Sequence, residues 1–190
     1  MQLYESEFMQ DETEFSDFGV LLQREKIRSY LEIGSKFGGS LWRIAQYTQP
    51  GARMVAVDMP NGTKRWHESS ASLKACVAKL KEFDHDAHII WGDSTAEKTV
   101  EAARALGPFD LIMIDANHTM PFVKADWKNY GPMGRMIAFH DIGWRRAQEW
   151  VGVRIDVPQF WNSIKGSYRH VEFRSCPTGK NNGIGVLWRA

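Results

Sequence analysis

Tyr30-Leu-Glu-Ile-Gly-Ser-Lys-Phe-Gly-Gly-Ser40 decides how this chain is read, because it leads from a short apolar run into the start of a helix through three glycines. Leu31 and Ile33 have the character of the end of a buried strand, and Gly34 and Gly38 permit backbone angles that a β-carbon excludes. Gly39 and Ser40 open a helix whose free N–H groups draw polar or negative ligand atoms. A ligand is expected on that turn. A dinucleotide fingerprint, Gly-x-Gly-x-x-Gly begun at Gly34, needs glycine at position 36, where Lys36 stands. A nicotinamide-dependent oxidoreductase on a similar fold is therefore the lesser expectation, and a shift of NADH fluorescence would reveal it.

Upstream, the spacing from Phe18 to Arg28 predicts a helix that delivers the chain into the first strand. The acidic segment before it, through Asp17, reads as a docking arm, a lid or a partly ordered terminus. Downstream, Leu41, Trp42, Ile44, Ala45 and Tyr47 make an amphipathic helix stopped by Pro50-Gly51. The strand Arg53 to Asp58 ends in a carboxylate 24 residues after Gly34, near the roughly 20-residue offset at which an acidic side chain meets ribose hydroxyls. By itself Asp58 would read as a turn cap beside Pro60-Asn61-Gly62. Ser69 to Phe83 is the next helix, with Cys76 packed in it, and His88 to Trp91 a third strand running into Gly92-Asp93-Ser94. Asp93 or Ser94 also suits the N-cap of the helix from Ala96 to Leu106.

Phe109 to Asp115 is the clearest strand, apolar enough to be buried on both faces of a parallel sheet. Asp115-Ala-Asn-His118 follows, then a helix from Pro121 to Tyr130 and a strand from Met136 that ends in His140-Asp141. Acidic or polar groups thus gather at the C-terminal ends of several strands, where open parallel sheets bind ligands. The insertion at about 142–167 is rich in aromatic and basic residues (Trp144, Arg145, Arg146, Trp150, Arg154, Phe160, Trp161) and offers a place for a substrate pocket. Tyr168 to Phe173 and Ile184 to Trp188, joined by the loop Ser175 to Gly183, suit an antiparallel pair at the sheet edge.

With 190 residues the chain suffices for one α/β domain without disulfides or structural metal. A net charge of +1, with both signs scattered, gives no support for nucleic acid as a partner. Cys76 and Cys176 form no Cys-x-x-Cys pair, no window is apolar enough to span a bilayer, and the acidic stretch from Glu5 to Asp17 is unlike a secretory signal. The expectation is a cytoplasmic protein with reduced thiols and no membrane partner. A homodimer is left open.

The spacing Glu32, Gly34, Gly38 resembles the first motif of class I S-adenosylmethionine-dependent methyltransferases. The alternation of strands and helices over residues 27–190, after an arm and lead-in helix at 1–26, resembles the whole of that domain. The resemblance implies a Rossmann-like, doubly wound α/β fold: a mostly parallel seven-stranded sheet with an antiparallel last strand and helices on both faces. It implies an S-adenosyl-L-methionine site with Glu32, Gly34, Ser35, Gly38, Gly39 and Ser40 at the methionine end and Asp58, beside Met59, at the ribose. Gly92, Asp93 and Ser94 come at the adenine, and Asp115 is included in the same site.

Further along, Asp115-Ala-Asn-His118, Asp126 and Gly134-Arg-Met-Ile-Ala-Phe-His140-Asp141 look like the family of cephalosporin-hydroxylase-like and small-molecule O-methyltransferases. Asp115 and Asp141 end two strands that are neighbours in the usual order, with His118 and His140 within reach. Carboxylates and imidazoles at one rim suit a general base or a divalent metal such as Mg²⁺. The expected catalytic groups are His118, His140 and Asp115, and the expected metal ligands Asp115, Asp141 and His140. In some of the O-methyltransferases that it resembles, the metal triad is acidic at the position before the last Asp, and here that position is His140. The expected acceptor is a small hydroxylated molecule, a sugar or natural-product intermediate. A binding module without catalysis on the same fold is the remaining alternative.

Overall fold

Short runs of aliphatic residues that must hide both faces form the strands of a parallel sheet. A computed structural model describes residues 12–60, 69–143, 149–150, 153–174 and 182–189. Its strands are β1 (Ser29–Ile33), β2 (Arg53–Asp58), β3 (Asp86–Trp91), β4 (Phe109–Ile114), β5 (Gly134–Phe139), the two-residue β6 (Glu149–Trp150) and β7 (Val153–Arg154), β8 (Arg169–Phe173) and β9 (Ile184–Trp188). The helices are α1 (Glu12–Glu25), α2 (Gly39–Ala45), α3 (Ser69–Glu82), α4 (Glu97–Leu106), α5 (Met120–Tyr130) and α6 (Val157–Ile164). Seven strands make one sheet in the order β3-β2-β1-β4-β5-β9-β8. Strands β1 to β5 run parallel, and β9 is antiparallel to both β5 and β8. The expected Rossmann-like seven-stranded fold with its antiparallel last strand is what the chain forms.

Side-chain alternation along the strands divides the core in two. Tyr30, Met54, Leu111 and Met136 pack under α1, α2 and α3 on one face, whereas Leu31, Val55, Ile112 and Ile137 pack under α4, α5 and α6 on the other. Register levels the strand ends: Ile33 pairs with Ile114, and Ile114 with Phe139. The residues that follow these three strands therefore emerge on one rim. Among the described residues no helix is long and apolar enough to cross a membrane.

Two elements differ from the sequence expectation. Helix α1 covers Glu12–Glu25 instead of Phe18 to Arg28. Phe15, Phe18 and Leu22 are its buried face, Val20 is 63% exposed, and Lys26 leaves the helix at φ 53. The segment just before Phe18 is thus helix packed on the core, and residues 1–11 of the expected arm lie outside the described residues. In the insertion, Phe160 and Trp161 of α6 are buried against Phe139, closing the second core layer rather than lining a pocket. Trp144, Arg145 and Arg146 lie outside the described residues, as does Cys176.

Candidate active site

The glycine turn is built by close approach. Gly34 has φ 95, and a β-carbon there would stand 2.4 Å from the Asp115 carbonyl oxygen. Gly38 has φ 89, and a β-carbon would stand 2.8 Å from Cys76 Cβ, whose thiol donates to the Gly38 carbonyl at 3.3 Å. Only glycine meets both conditions at either place. Gly39 and Ser40 then begin α2, both buried.

Glu32, one residue before the end of β1, is fully buried. The Tyr30 hydroxyl donates to its Oε1 at 2.8 Å, while Oε2, like Ser35 Oγ, has no hydrogen-bond partner among the described residues. Burial pushes the Glu32 carboxyl up to about 7, an effect that the Tyr30 hydroxyl on Oε1 moderates. Asp58 accepts the backbone N–H of Lys36 at Oδ2 and that of Met59, at 2.7 Å, at Oδ1. It braces the glycine turn from the end of β2, and burial raises its pKa against those hydrogen bonds. Gly92 donates its N–H to the Asp58 carbonyl at 2.9 Å. Asp93, exposed, accepts the N–H and hydroxyl of Thr95 at 2.8 and 2.7 Å, which is a turn-stabilising role. The Ser94 carbonyl accepts the Tyr130 hydroxyl at 2.8 Å. Near these residues lies Asp126, which is 1% exposed; burial pushes it up to about 6, eased by Ser94 and reinforced by the charge of Asp93.

Beyond β4 and β5 the four polar residues of the rim form one cluster. His118 Nε2 lies 3.2 Å from Asp115 Oδ1 and 2.8 Å from Asp141 Oδ2. His140 Nδ1 lies 3.3 Å from Asp115 Oδ1 and 3.3 Å from Asp141 Oδ1. Strand β5 stops at Phe139, so His140 and Asp141 turn out of it, and Asp141 takes a left-handed φ of 63. Burial opposes charge on the imidazoles, yet the two carboxylates prevail and raise His118 to about 10 and His140 to about 9. Burial likewise opposes ionisation of Asp115, but His140 and His118 hold it well below the usual carboxylate range. Two carboxylates facing two imidazolium ions leave the cluster close to neutral.

Two supporting residues were not read from the sequence. Tyr30 sits in an apolar run, where it reads as strand filler. Asp156, 6% exposed, accepts the Met120 N–H at 2.9 Å and donates its own N–H to the His118 carbonyl at 2.8 Å, so it clamps the loop that carries His118. Its place just before Val157-Pro158 is an N-cap signal that points to α6, although its carboxylate serves the start of α5 instead.

Residues 31–142, which are 112 of 190, match the family described as "Methyltransferase domain". The chain belongs to that family. The resemblance to class I enzymes is thereby borne out, and a methyltransferase takes precedence over a nicotinamide oxidoreductase. No curated protein matches the methyltransferase in sequence. Among solved structures it is similar to the O-methyltransferase from Bacillus cereus in complex with SAH, at TM-score 0.72 and 16% identity over 95% of this chain and 83% of that one. It is also similar to the O-methyltransferase TomG from Streptomyces achromogenes, involved in tomaymycin synthesis and solved with SAM, at TM-score 0.68 and 16% identity over 96% and 82%. A methyltransferase from Geobacter sulfurreducens follows at TM-score 0.63 and 13% identity over 95% and 80%. At such identities the likeness is one of fold.

Proposed function

We propose that this methyltransferase moves the methyl group of S-adenosylmethionine onto a hydroxyl of a small acceptor. One observation carries the reading: Asp115 forms the wall of the glycine turn with its carbonyl and anchors the His118–Asp141–His140 cluster with its carboxylate. Cofactor cradle and proton-handling groups therefore share one residue.

The cradle fits a cationic amino-acid moiety, since the buried, unpartnered Glu32 Oε2 and Ser35 Oγ leave hydrogen-bonding capacity for an ammonium and its neighbours. Glu32, Gly34, Ser35, Gly38, Gly39 and Ser40 take the methionine end, Asp58 beside Met59 the ribose, and Gly92, Asp93 and Ser94 the adenine. The bound sulfonium supplies an electrophilic methyl group. The protein's share is to align the acceptor oxygen and to take its proton as the C–O bond forms. His118 is the base. At rest it is an imidazolium held by Asp115 and Asp141, and it accepts a proton only in its neutral form, which becomes populated as pH nears its raised value. His140 keeps Asp115 and Asp141 together.

A second reading rests on ligand atoms of Asp115, His140 and Asp141 that lie within 4.8 Å of one another. They would hold a divalent cation, which would lower the pKa of a coordinated hydroxyl; an imidazole among the donors suits Mg²⁺ less well than a third oxygen. A cytoplasmic setting, in which a buried thiol such as that of Cys76 stays reduced, goes with the reaction.

Calorimetry with S-adenosylhomocysteine, followed by incubation of a metabolite extract with isotopically labelled methyl donor, tests the proposal. Expected are binding by the wild type, affinity reduced about 10-fold or more in Asp58→Ala from the lost ribose contact, and a labelled product whose rate falls about 100-fold or more in His118→Gln. Absence of binding would overturn the proposal, and binding without turnover across a broad acceptor panel would make the protein a binding module. Full activity after exhaustive chelation would remove the metal.

A further inference from the structure

Helix α1, outside the rim cluster, carries a carboxylate with no access to water. Glu14 is 0% exposed, and its Oε2 accepts the backbone N–H of Gly183, 169 residues away, at 3.0 Å. A buried carboxylate is tolerated only where it is well paired, and a charge-assisted bond to a backbone amide is among the stronger single links available.

Gly183 passes the link on. Its carbonyl accepts the Ile142 N–H at 3.3 Å, and the Asn182 carbonyl accepts the Gly143 N–H at 2.7 Å. Gly183 has φ 72, and a β-carbon there would press on Ile142 Cγ1 at 3.0 Å and the Gly143 nitrogen at 3.2 Å. Residues 182–183 therefore clasp 142–143 backbone to backbone. The next residue along is Asp141, which bears φ 63 without being glycine and meets His118 Nε2 at 2.8 Å. Such a conformation persists only where surrounding contacts over-determine it.

We propose that Glu14 is a positioning residue for methyl transfer: through Gly183 it fixes the Asp141–Gly143 segment, and so the carboxylate that orients His118. This rests on the reading of His118 and Asp141 as acceptor-side groups. It also gives the amino-terminal helix a part in the chemistry, since the first turn of α1 reaches the start of β9 through the Glu14–Gly183 bond.

The test compares the full-length wild type with Glu14→Ala and Glu14→Gln, the latter keeping an amide oxygen as acceptor. In Glu14→Ala, amide exchange at Ile142 and Gly143 should quicken about 10-fold or more as local opening becomes easier. Its kcat should fall about 10- to 100-fold from misplacement of the base. Its Kd for S-adenosylhomocysteine should stay within about threefold, the glycine turn being independent of this contact. Glu14→Gln should restore both exchange and kcat. Unchanged exchange at Ile142 and Gly143 in Glu14→Ala would overturn the proposal, and so would parallel losses of kcat, cofactor affinity and Tm in both variants. If the wild type transfers no methyl, the proposed function falls by itself, and the exchange comparison alone supports or overturns the link.

Discussion

A carboxylate sealed from water with one oxygen unpaired destabilises the chain that folds around it, and Glu32 is such a group. Its carboxyl rises from 4.5 to about 7 on folding, chiefly by burial. A raised acid means that the folded state prefers the proton, so the penalty is absent below about 4.5, grows between the two values and is complete above about 7. The span corresponds to at most about 3 kcal/mol. Glu32→Gln keeps an acceptor for the Tyr30 hydroxyl and removes the charge. It should raise Tm by several degrees at pH 8 and by much less at pH 5, while weakening S-adenosylhomocysteine binding about 10-fold or more because no anion is left for the ammonium. Thermal scans at both pH values with ligand titrations check this. An equal Tm at pH 8, or unaltered affinity, would mean that Glu32 is ordinary core and that the cofactor's charge is met elsewhere.

At the scale of elements, the turn between β1 and α2 is where strand ends touch. Gly34→Ala adds a methyl group 2.4 Å from the Asp115 carbonyl oxygen at a φ of 95, so β1 and β4 must part. Loss of more than about 1 kcal/mol is expected, together with loss of methyl transfer. Gly166→Ala meets nothing within 4 Å and should stay within about 0.5 kcal/mol of wild type. Urea unfolding of the two variants side by side checks the contrast, and equal midpoints would show that β1 and β4 separate freely. These strands were legible because a run such as Leu111 to Ile114 has no polar face to show and is followed by a charge. The crossover helices flanking the turn were legible from their 3.6-residue spacing. Helix α1 was placed late, since Val20, Leu21, Leu22 and Ile27 suggest an apolar face starting at Phe18, and only packing on the sheet shows that Phe15 belongs to the buried face while Val20 does not. Helix α6 was missed because aromatic residues in an insertion look the same whether they face a ligand or, like Phe160 and Trp161, the core. The cluster was half legible: four polar residues at two strand ends can be read off the chain. That His118 bridges Asp115 and Asp141 depends on β4 and β5 being neighbours and on the turned-out backbone at Asp141.

For the whole molecule, the rim couples folding and chemistry to the same protons. His118 and His140 rise from 6.5 to about 10 and about 9, so their stabilisation is fully present below about 6.5 and is lost as pH climbs through the higher values. Asp115 is depressed from 3.8, so its contribution is present above that value and lost as pH falls below it. The Glu32 penalty, complete above about 7, tilts the balance the same way as the histidines. Stability should therefore peak on the acid side of neutrality, whereas a base at position 118 works only without its proton, on the alkaline side. In chelated protein the urea midpoint should decline from pH 6.5 to pH 10 while kcat at saturating methyl donor rises over the same range. The double variant His118→Gln, His140→Gln should flatten the stability profile and abolish the alkaline rise. A wild-type midpoint that stays level across that range would mean that the imidazoles are neutral in the folded protein, and with them would go the ionic account of how this rim is held together.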